Sequence, residues 1–372
     1  MSDGVAARPF DGIIVAGPGA ERVVGGMSLV ERAAFAFARA GAARLLLLGP
    51  PPDAPLRLPA IGVQWNQPLG PWLERSGDPL VVTAATTVAA PATVAALAAE
   101  SSLRPCAAPR GVLWRADRRH EALLDARARP GLPPPPDLAP WTPPPGALLV
   151  DAGSAAGRAA AERALFAHLG RSGDGWFTRL VDRRLSRLLT RVLLPTGVTP
   201  NTVTSSSIAL GIAGGLCFAY GTPAAAAVGA IAFLLSTIVD GCDGEIARLT
   251  YRESAFGAKF DLLGDNLVHL FLFGGIAAGL YHRSGERIMA VLGVALLVGV
   301  LLAMAAVYWC VLRRPPNPAQ RALFESFASR EFAYLLLAMT LAGHLDWFLW
   351  MAAIGTYVFA GALVFLGVRS SA

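Results

Sequence analysis

The stretch Asp240-Gly241-Cys242-Asp243-Gly244-Glu245-Ile246-Ala247-Arg248 stands at the end of a long apolar run, and Gly257, Asp261 and Asp265 follow it in the next one. Between Arg248 and Gly257 lie eight residues, and three separate Gly257 from Asp261 and Asp261 from Asp265. A carboxylate at membrane depth costs about 2.5–3.5 kcal/mol on insertion scales and marks function by default. Asp240 and Asp243, three apart, share one helical face, which Gly244, Ala247 and Arg248 continue; Asp261 and Asp265, four apart, share a face of the following helix. The short link Thr250–Ala258 allows these faces to oppose, so that four carboxylates converge near the cytoplasmic surface.

Four like charges cannot share a pocket unless cations neutralise them. Ligands that are all oxygen select hard cations, here Mg2+ or Mn2+ rather than zinc. Such a centre suits phosphoryl transfer, because it holds a diphosphate and steadies charge on the departing phosphate. Gly244 and Gly257 leave room for a nucleotide against the backbone, and Arg248 has the charge to pair with phosphate or to fix a ligating Asp.

Outward from this stretch, six segments read as membrane spans: Asn201–Tyr220, Pro223–Val239, Ala258–Tyr281, Arg287–Leu312, Phe332–Gly343 and Trp347–Val368. The fifth falls furthest short of the ~20 apolar residues a crossing needs; a reentrant or five-span layout is the fallback. Arg191, Arg248, Arg252, Lys259, Arg313, Arg314, Arg321 and Arg330 fall on one side and Arg283 and Arg287 on the other, so the positive-inside rule puts both termini in the cytoplasm of a multi-pass protein of the inner membrane. The whole chain agrees. Of 372 residues, 54% are hydrophobic and 16% charged, against about 25% charged in soluble proteins. That excludes a disordered chain and an ordinary soluble enzyme, and the apolar excess lies in the second half. The net charge of +6, nearly all arginine, fits anionic lipid or phosphorylated substrates. No basic stretch is interleaved with aromatics in a nucleic-acid-binding pattern, so nucleic acid is not expected as a partner. Cys106, Cys217, Cys242 and Cys310 are scattered in a way that offers neither a zinc knuckle nor a disulfide framework. The N-terminus lacks a charged segment followed by an apolar core, and no secretory leader is expected.

The first half reads as an α/β domain over residues 1–129. Ile13–Val15 is a strand, Ala16-Gly17-Pro18-Gly19 a turn, Ser28–Gly41 a helix, Leu45–Leu48 and Leu80–Thr83 further strands, and Ala92–Ala99 a helix. The turn, with Arg22 and the segment Met27-Ser28-Leu29-Val30-Glu31-Arg32, resembles the opening of sugar-nucleotide nucleotidyltransferases. The arginine stands one place late, Met27-Ser28 replaces Lys-Pro, and Ala84-Ala85-Thr86 stands where that family places a metal-binding Asp. The resemblance therefore implies a catalytically silent, nucleotidyltransferase-like head. A Pro-rich linker follows over 130–146, either a spacer or a wrapping arm. The connector 147–196 holds a helix at Ala155–Leu169 and a basic amphipathic helix at Phe177–Leu194, expected to lie in the headgroup plane with its arginines toward lipid phosphates.

The eight residues Asp240, Asp243, Gly244, Ala247, Arg248, Gly257, Asp261 and Asp265, at this spacing, resemble the complete signature of the CDP-alcohol phosphotransferases, and Pro200-Asn201 with Thr204 resembles that family's entry to its first span. The resemblance implies an α/β head followed by an all-α, six-helix transmembrane domain at 197–372, and transfer of a phospho-alcohol group from a CDP-alcohol to an acceptor hydroxyl with release of CMP. It further implies Asp240, Asp243 and Asp261 as metal ligands, Asp265 as ligand or general base, and Asn201, Thr204, Gly244, Ala247, Arg248 and Gly257 around the CDP moiety. It also implies a homodimer. The whole-chain layout is similar to the bifunctional inositol-1-phosphate cytidylyltransferase / di-myo-inositol phosphate phosphate synthase subgroup. Departing from that subgroup, Asn266 and His269 follow the last aspartate, which leaves the acceptor open between a phosphorylated polyol and a lipid. Arg330, Arg313 and Arg314 are candidates to clamp an acceptor phosphate, or they set topology and bind headgroups. His269, one turn beyond Asp265, reads as a packed polar group. The rival reading is a non-catalytic membrane scaffold whose head binds a nucleotide or a partner; an ion pathway is disfavoured because the acids gather at one end of their helices.

Overall fold

The computed structural model describes residues 9–51, 55–75, 79–100, 106–107, 113–116, 138–169, 182–313, 316–327 and 331–369. The chain divides into two compact units, Met1–Gly170 with Leu249–Tyr251, and Arg171–Arg248 with Arg252–Ala372.

In the first unit, β1 (Phe10–Val15) is flanked by β4 (Ala42–Leu48) and β6 (Leu80–Ala84), both parallel to it, and β5 (Gly62–Trp65) extends the parallel set beyond β4. The sheet continues through β9 (Leu113–Ala116), antiparallel to β6, then β8 (Cys106–Ala107) and β10 (Ala139–Pro140), in the order β10-β8-β9-β6-β1-β4-β5. Two short ladders stand apart: β2 (Val23–Val24) with β3 (Met27–Ser28), and β7 (Thr87–Ala89) with β11 (Leu149–Asp151). Ile13, Ile14 and Leu45–Leu47 are fully buried, as strands covered on both faces require. Helix α1 (Leu29–Arg39) begins where Ser28 caps it: the Ser28 hydroxyl accepts from the Glu31 N–H while the Glu31 carboxylate accepts from the Ser28 N–H. Gly41, at φ +99°, turns the chain straight into β4, so that strand starts three residues before the expected Leu45. Helices α2 (Leu69–Glu74), α3 (Pro91–Ala98) and α4 (Ala155–Ala167) complete the unit. The described part of the Pro-rich segment is not a free spacer. Ala139–Pro140 pairs with β8 at the sheet edge, where a missing N–H is tolerated, and Trp141 is buried. The unit accordingly runs through α4 to Gly170, past the boundary at 129 expected from composition.

The second unit is helical: α5 (Arg183–Leu193), α6 (Pro200–Ala219), α7 (Pro223–Leu249), α8 (Ala255–Ser284), α9 (Arg287–Val307), α10 (Pro318–Phe327), α11 (Glu331–Leu341) and α12 (Leu345–Arg369). Among the described residues, five helices are long and apolar enough to cross a membrane: Pro200–Ala219, Pro223–Leu249, Ala255–Ser284, Arg287–Val311 and Leu345–Gly367. The expected fifth span, Phe332–Gly343, is only the 11-residue α11. At 1.5 Å per residue it is about 16 Å long, half of a ~30 Å hydrocarbon layer. It stops there because Gly343 takes φ +78° and the His344 N–H turns back to the Met339 carbonyl.

Glycines bring α6 and α8 together main chain to main chain. A Cβ on Gly275 would sit 2.0 Å from the Gly215 carbonyl oxygen, and one on Gly279 would sit 1.9 Å from that of Phe218. Helix α7 does not end at Val239, where its apolar run ends, but continues to Leu249, and Ser254 caps α8 by accepting from the Gly257 N–H at 2.9 Å. The acids therefore occupy the last turns of α7 and the first turns of α8.

Candidate metal centre

Asp240 of α7 and Asp261 and Asp265 of α8 each offer a carboxylate oxygen, and these oxygens all lie within 4.8 Å of one another. Asp240 and Asp261 are half-buried and Asp265 is exposed, so the cluster has a closed floor and an open side. The Asp261 Oδ1 is buried without a hydrogen-bond partner. An orphaned anionic oxygen is costly unless a positive group meets it. With two more carboxylates beside it, the donor set fits a hard divalent cation bound through oxygen.

Asp243 lies outside this trio. It is buried, and its Oδ2 accepts the hydroxyl proton of Thr204 from the first turn of α6. The four-carboxylate convergence expected from spacing is thus three carboxylates and a fourth tied to α6. Asn201 approaches the start of α8: a Cβ on Gly257 would lie 3.3 Å from its Oδ1 and 3.1 Å from the Ser254 Oγ. The Arg248 guanidinium covers Gly244, with Nη1 3.2 Å from where a Cβ would be. Both glycines beside the acids are thus in tight contact with polar side chains, Gly244 with Arg248 and Gly257 with Asn201 and Ser254. Ala247 is half-buried one turn beyond Asp243.

Arg313 lies 4.4 Å over the Trp309 ring, and Arg314 and Arg330 fall outside the described residues. His269 stacks on Phe273 at 5.8 Å and packs against Phe233 and Phe332, a packed ring as its place in the sequence suggested.

Glu245 was missed by the sequence reading. It is fully buried, and its oxygens accept from the hydroxyls of Ser186 and Thr190 on α5, both at 2.8 Å, with the Arg183 guanidinium at 3.5 Å. The available signal was an acid placed off the Asp240/Asp243 face in an apolar helix. The outward side of α5 carries Leu185, Leu188 and Val192, all exposed, together with Arg184 and Arg191. The part of the expected helix before residue 182 lies outside the described residues.

Residues 197–366 match the CDP-alcohol phosphatidyltransferase family model. The matched segment contains every member of the acidic cluster. Among curated proteins, the chain is 34% identical over 118 residues to a bifunctional IPC transferase and DIPP synthase of Archaeoglobus fulgidus, covering 32% of this chain and 23% of the relative. It is also 34% identical over 129 residues to the protein of the same description from Rubrobacter xylanophilus, covering 35% and 28%. The aligned stretch thus spans about a quarter of the length of these relatives. Among solved structures, the phosphatidylinositol phosphate synthase of Mycobacterium tuberculosis with CDP-DAG bound gives 21% identity and a TM-score of 0.34, over 50% of this chain and 91% of that one. The same enzyme with manganese and citrate gives 21% and 0.34, over 50% and 86%.

Proposed function

We propose that this protein is an integral membrane enzyme that transfers a phospho-alcohol group from a CDP-alcohol to an acceptor hydroxyl and releases CMP. One observation carries the reading: Asp240, Asp261 and Asp265, from two successive helices of the family-matched domain, hold their oxygens within 4.8 Å of one another around a buried, unpartnered Asp261 Oδ1. A divalent cation, Mg2+ or Mn2+, would be held by Asp240 and Asp261 with Asp243 and Asp265; when bound it neutralises the diphosphate and stabilises the leaving CMP.

The chain's own residues divide the rest of the work. Asp265, on the open side, takes the proton of the attacking hydroxyl. Thr204 holds Asp243 in one rotamer. Gly244 and Gly257, without side chains of their own, let Arg248 and Asn201 lie close to the backbone where the nucleotide would bind, and Arg248 supplies the charge that meets a phosphate oxygen. Ala247 keeps the intervening turn small. The acceptor attacks phosphorus, its proton passes to Asp265, and the bond from phosphorus to CMP breaks.

The curated relatives direct the substrate class toward inositol-phosphate-like donors and phosphorylated polyol acceptors; a phosphatidyl donor is the second choice within the same chemistry. The first unit is a nucleotidyltransferase-like domain without its own catalysis. In its sheet β4 and β6 lie on opposite sides of β1, so their carboxyl ends form the crevice where such sheets receive ligands. That crevice meets Ala84 and Ala85 rather than an acid. The enzyme sits in the inner membrane as a homodimer with cytoplasmic termini, α11 serving as a short sixth membrane segment.

The test supplies detergent-purified protein and Mg2+ with a panel that includes CDP-inositol and CDP-diacylglycerol, each with inositol phosphate and free inositol as acceptors. Products are followed by mass spectrometry and CMP by chromatography. Stoichiometric CMP and a phosphodiester product are expected from one donor class. Absence of CMP from every donor, with protein that is monodisperse and loaded with metal, refutes the transferase and returns the scaffold reading.

A further inference from the structure

Helix α7 carries three acids within two turns, and they do not share a task. Asp240 and Asp243 lie on the side facing α6 and α8. Glu245, five residues past Asp240, is turned about 140° round the axis from it. There it is fully buried, and it is met by a stripe on α5: Arg183, Ser186 and Thr190, spaced by three and four so that they share one face. Cys242, the neighbouring buried position, approaches the Ser186 carbonyl through Sγ at 3.4 Å. A second tie fixes the start of the same helix, where the Tyr334 hydroxyl of α11 donates to Asp182.

A buried carboxylate with these donors holds one geometry, because every alternative rotation of α7 leaves the charge unsolvated. The rotation of α7 decides where Asp240 aims. We propose that Glu245 is a positioning residue for the metal centre: by locking α7 onto the Ser186/Thr190 face of α5, it fixes the direction from which Asp240 meets Asp261 and Asp265. The amphipathic helix is then part of the metal site's frame as well as a membrane-surface element. This rests on the cluster being a divalent-cation site, as proposed above.

The test measures Mn2+ binding alone, from the loss of the free-ion electron paramagnetic resonance signal, on the full chain in detergent without nucleotide. The variants alter α5 and leave every acid in place: Thr190→Val, Ser186→Ala/Thr190→Val, and the conservative Thr190→Ser. Loss of support around a ligand typically weakens metal binding 10–100-fold. The double variant is expected to bind Mn2+ about tenfold more weakly, Thr190→Val to fall between it and the parent, and Thr190→Ser to match the parent. Gel filtration and a melting curve establish that each variant is folded; if the double variant is not, the pair Thr190→Val and Thr190→Ser decides alone. Affinities within twofold of the parent in folded Thr190→Val overturn the positioning role. So does equal weakening by Thr190→Ser, which retains the hydroxyl. A parent that takes up no Mn2+ overturns the cation site itself, a result distinct from the other two.

Discussion

The crevice at the carboxyl ends of β4 and β6 and the meeting of α7 with α8 are the two places that the sequence singled out for phosphate chemistry, yet they are furnished in opposite ways. The crevice has the geometry without the charge. Gly49, at φ +124°, lets the turn after β4 lie directly on Ala16, where a Cβ would come within 2.0 Å of the Ala16 carbonyl oxygen. Ala84 is exposed and Ala85 buried beyond β6. Arg32, which follows the glycine turn on α1, is buried and donates to the Val24 and Gly25 carbonyls. Desolvation brings its pKa down to about 10, and its guanidinium faces main chain. The helical meeting has charge in excess of what local structure needs. A glycine turn is cheap and recurs for purely steric reasons; carboxylates at the ends of apolar helices are expensive and persist where something uses them.

Substitutions that empty one place and leave the other intact sharpen this contrast. The largest effect is expected from Asp261→Asn, which removes the charge beneath the buried Oδ1. CMP release should fall about 10³-fold, equivalent to ~4 kcal/mol of barrier, with the protein still monodisperse; chelation by EDTA should do the same to the parent and Mn2+ should restore it. Gly275→Ala comes next. The added Cβ collides with the Gly215 main chain, and overpacking of this kind costs about 1–3 kcal/mol, read as a lower melting temperature in detergent. Thr204→Val leaves Asp243 without its hydroxyl donor, and a loss of about tenfold in turnover is expected from a charge-assisted hydrogen bond worth ~1.5 kcal/mol. Arg22→Ala in the head is expected to leave CMP release within experimental error of the parent. A large loss there would erase the distinction between the two places.

Much of this contrast could be read before any fold was known, because it is written in local spacing. Two acids three apart and two acids four apart, each pair on one face, are statements about a single helix. What escaped reading depends on partners remote in the chain. Nothing near Glu245 points to hydroxyls 55 and 59 residues earlier, and nothing near Asp243 points to Thr204. The edge of the sheet escaped for another reason: β8 and β10 are two residues each, too short for a hydrophobic period to register. The length of α11 turned on one glycine, since the apolar run reads unbroken through Ala342 and Gly343 then reverses the chain.

The contact of α6 with α8 has a dynamic consequence. Where two main chains touch at Gly215 and Gly275 and again at Phe218 and Gly279, no flexible side chain remains between the helices at these points to absorb a shear, and a one-turn slide of ~5.4 Å would bring Phe271 or Arg283 against the opposing backbone. These two helices move as one strut. The separation of the two helices is set there by backbone alone.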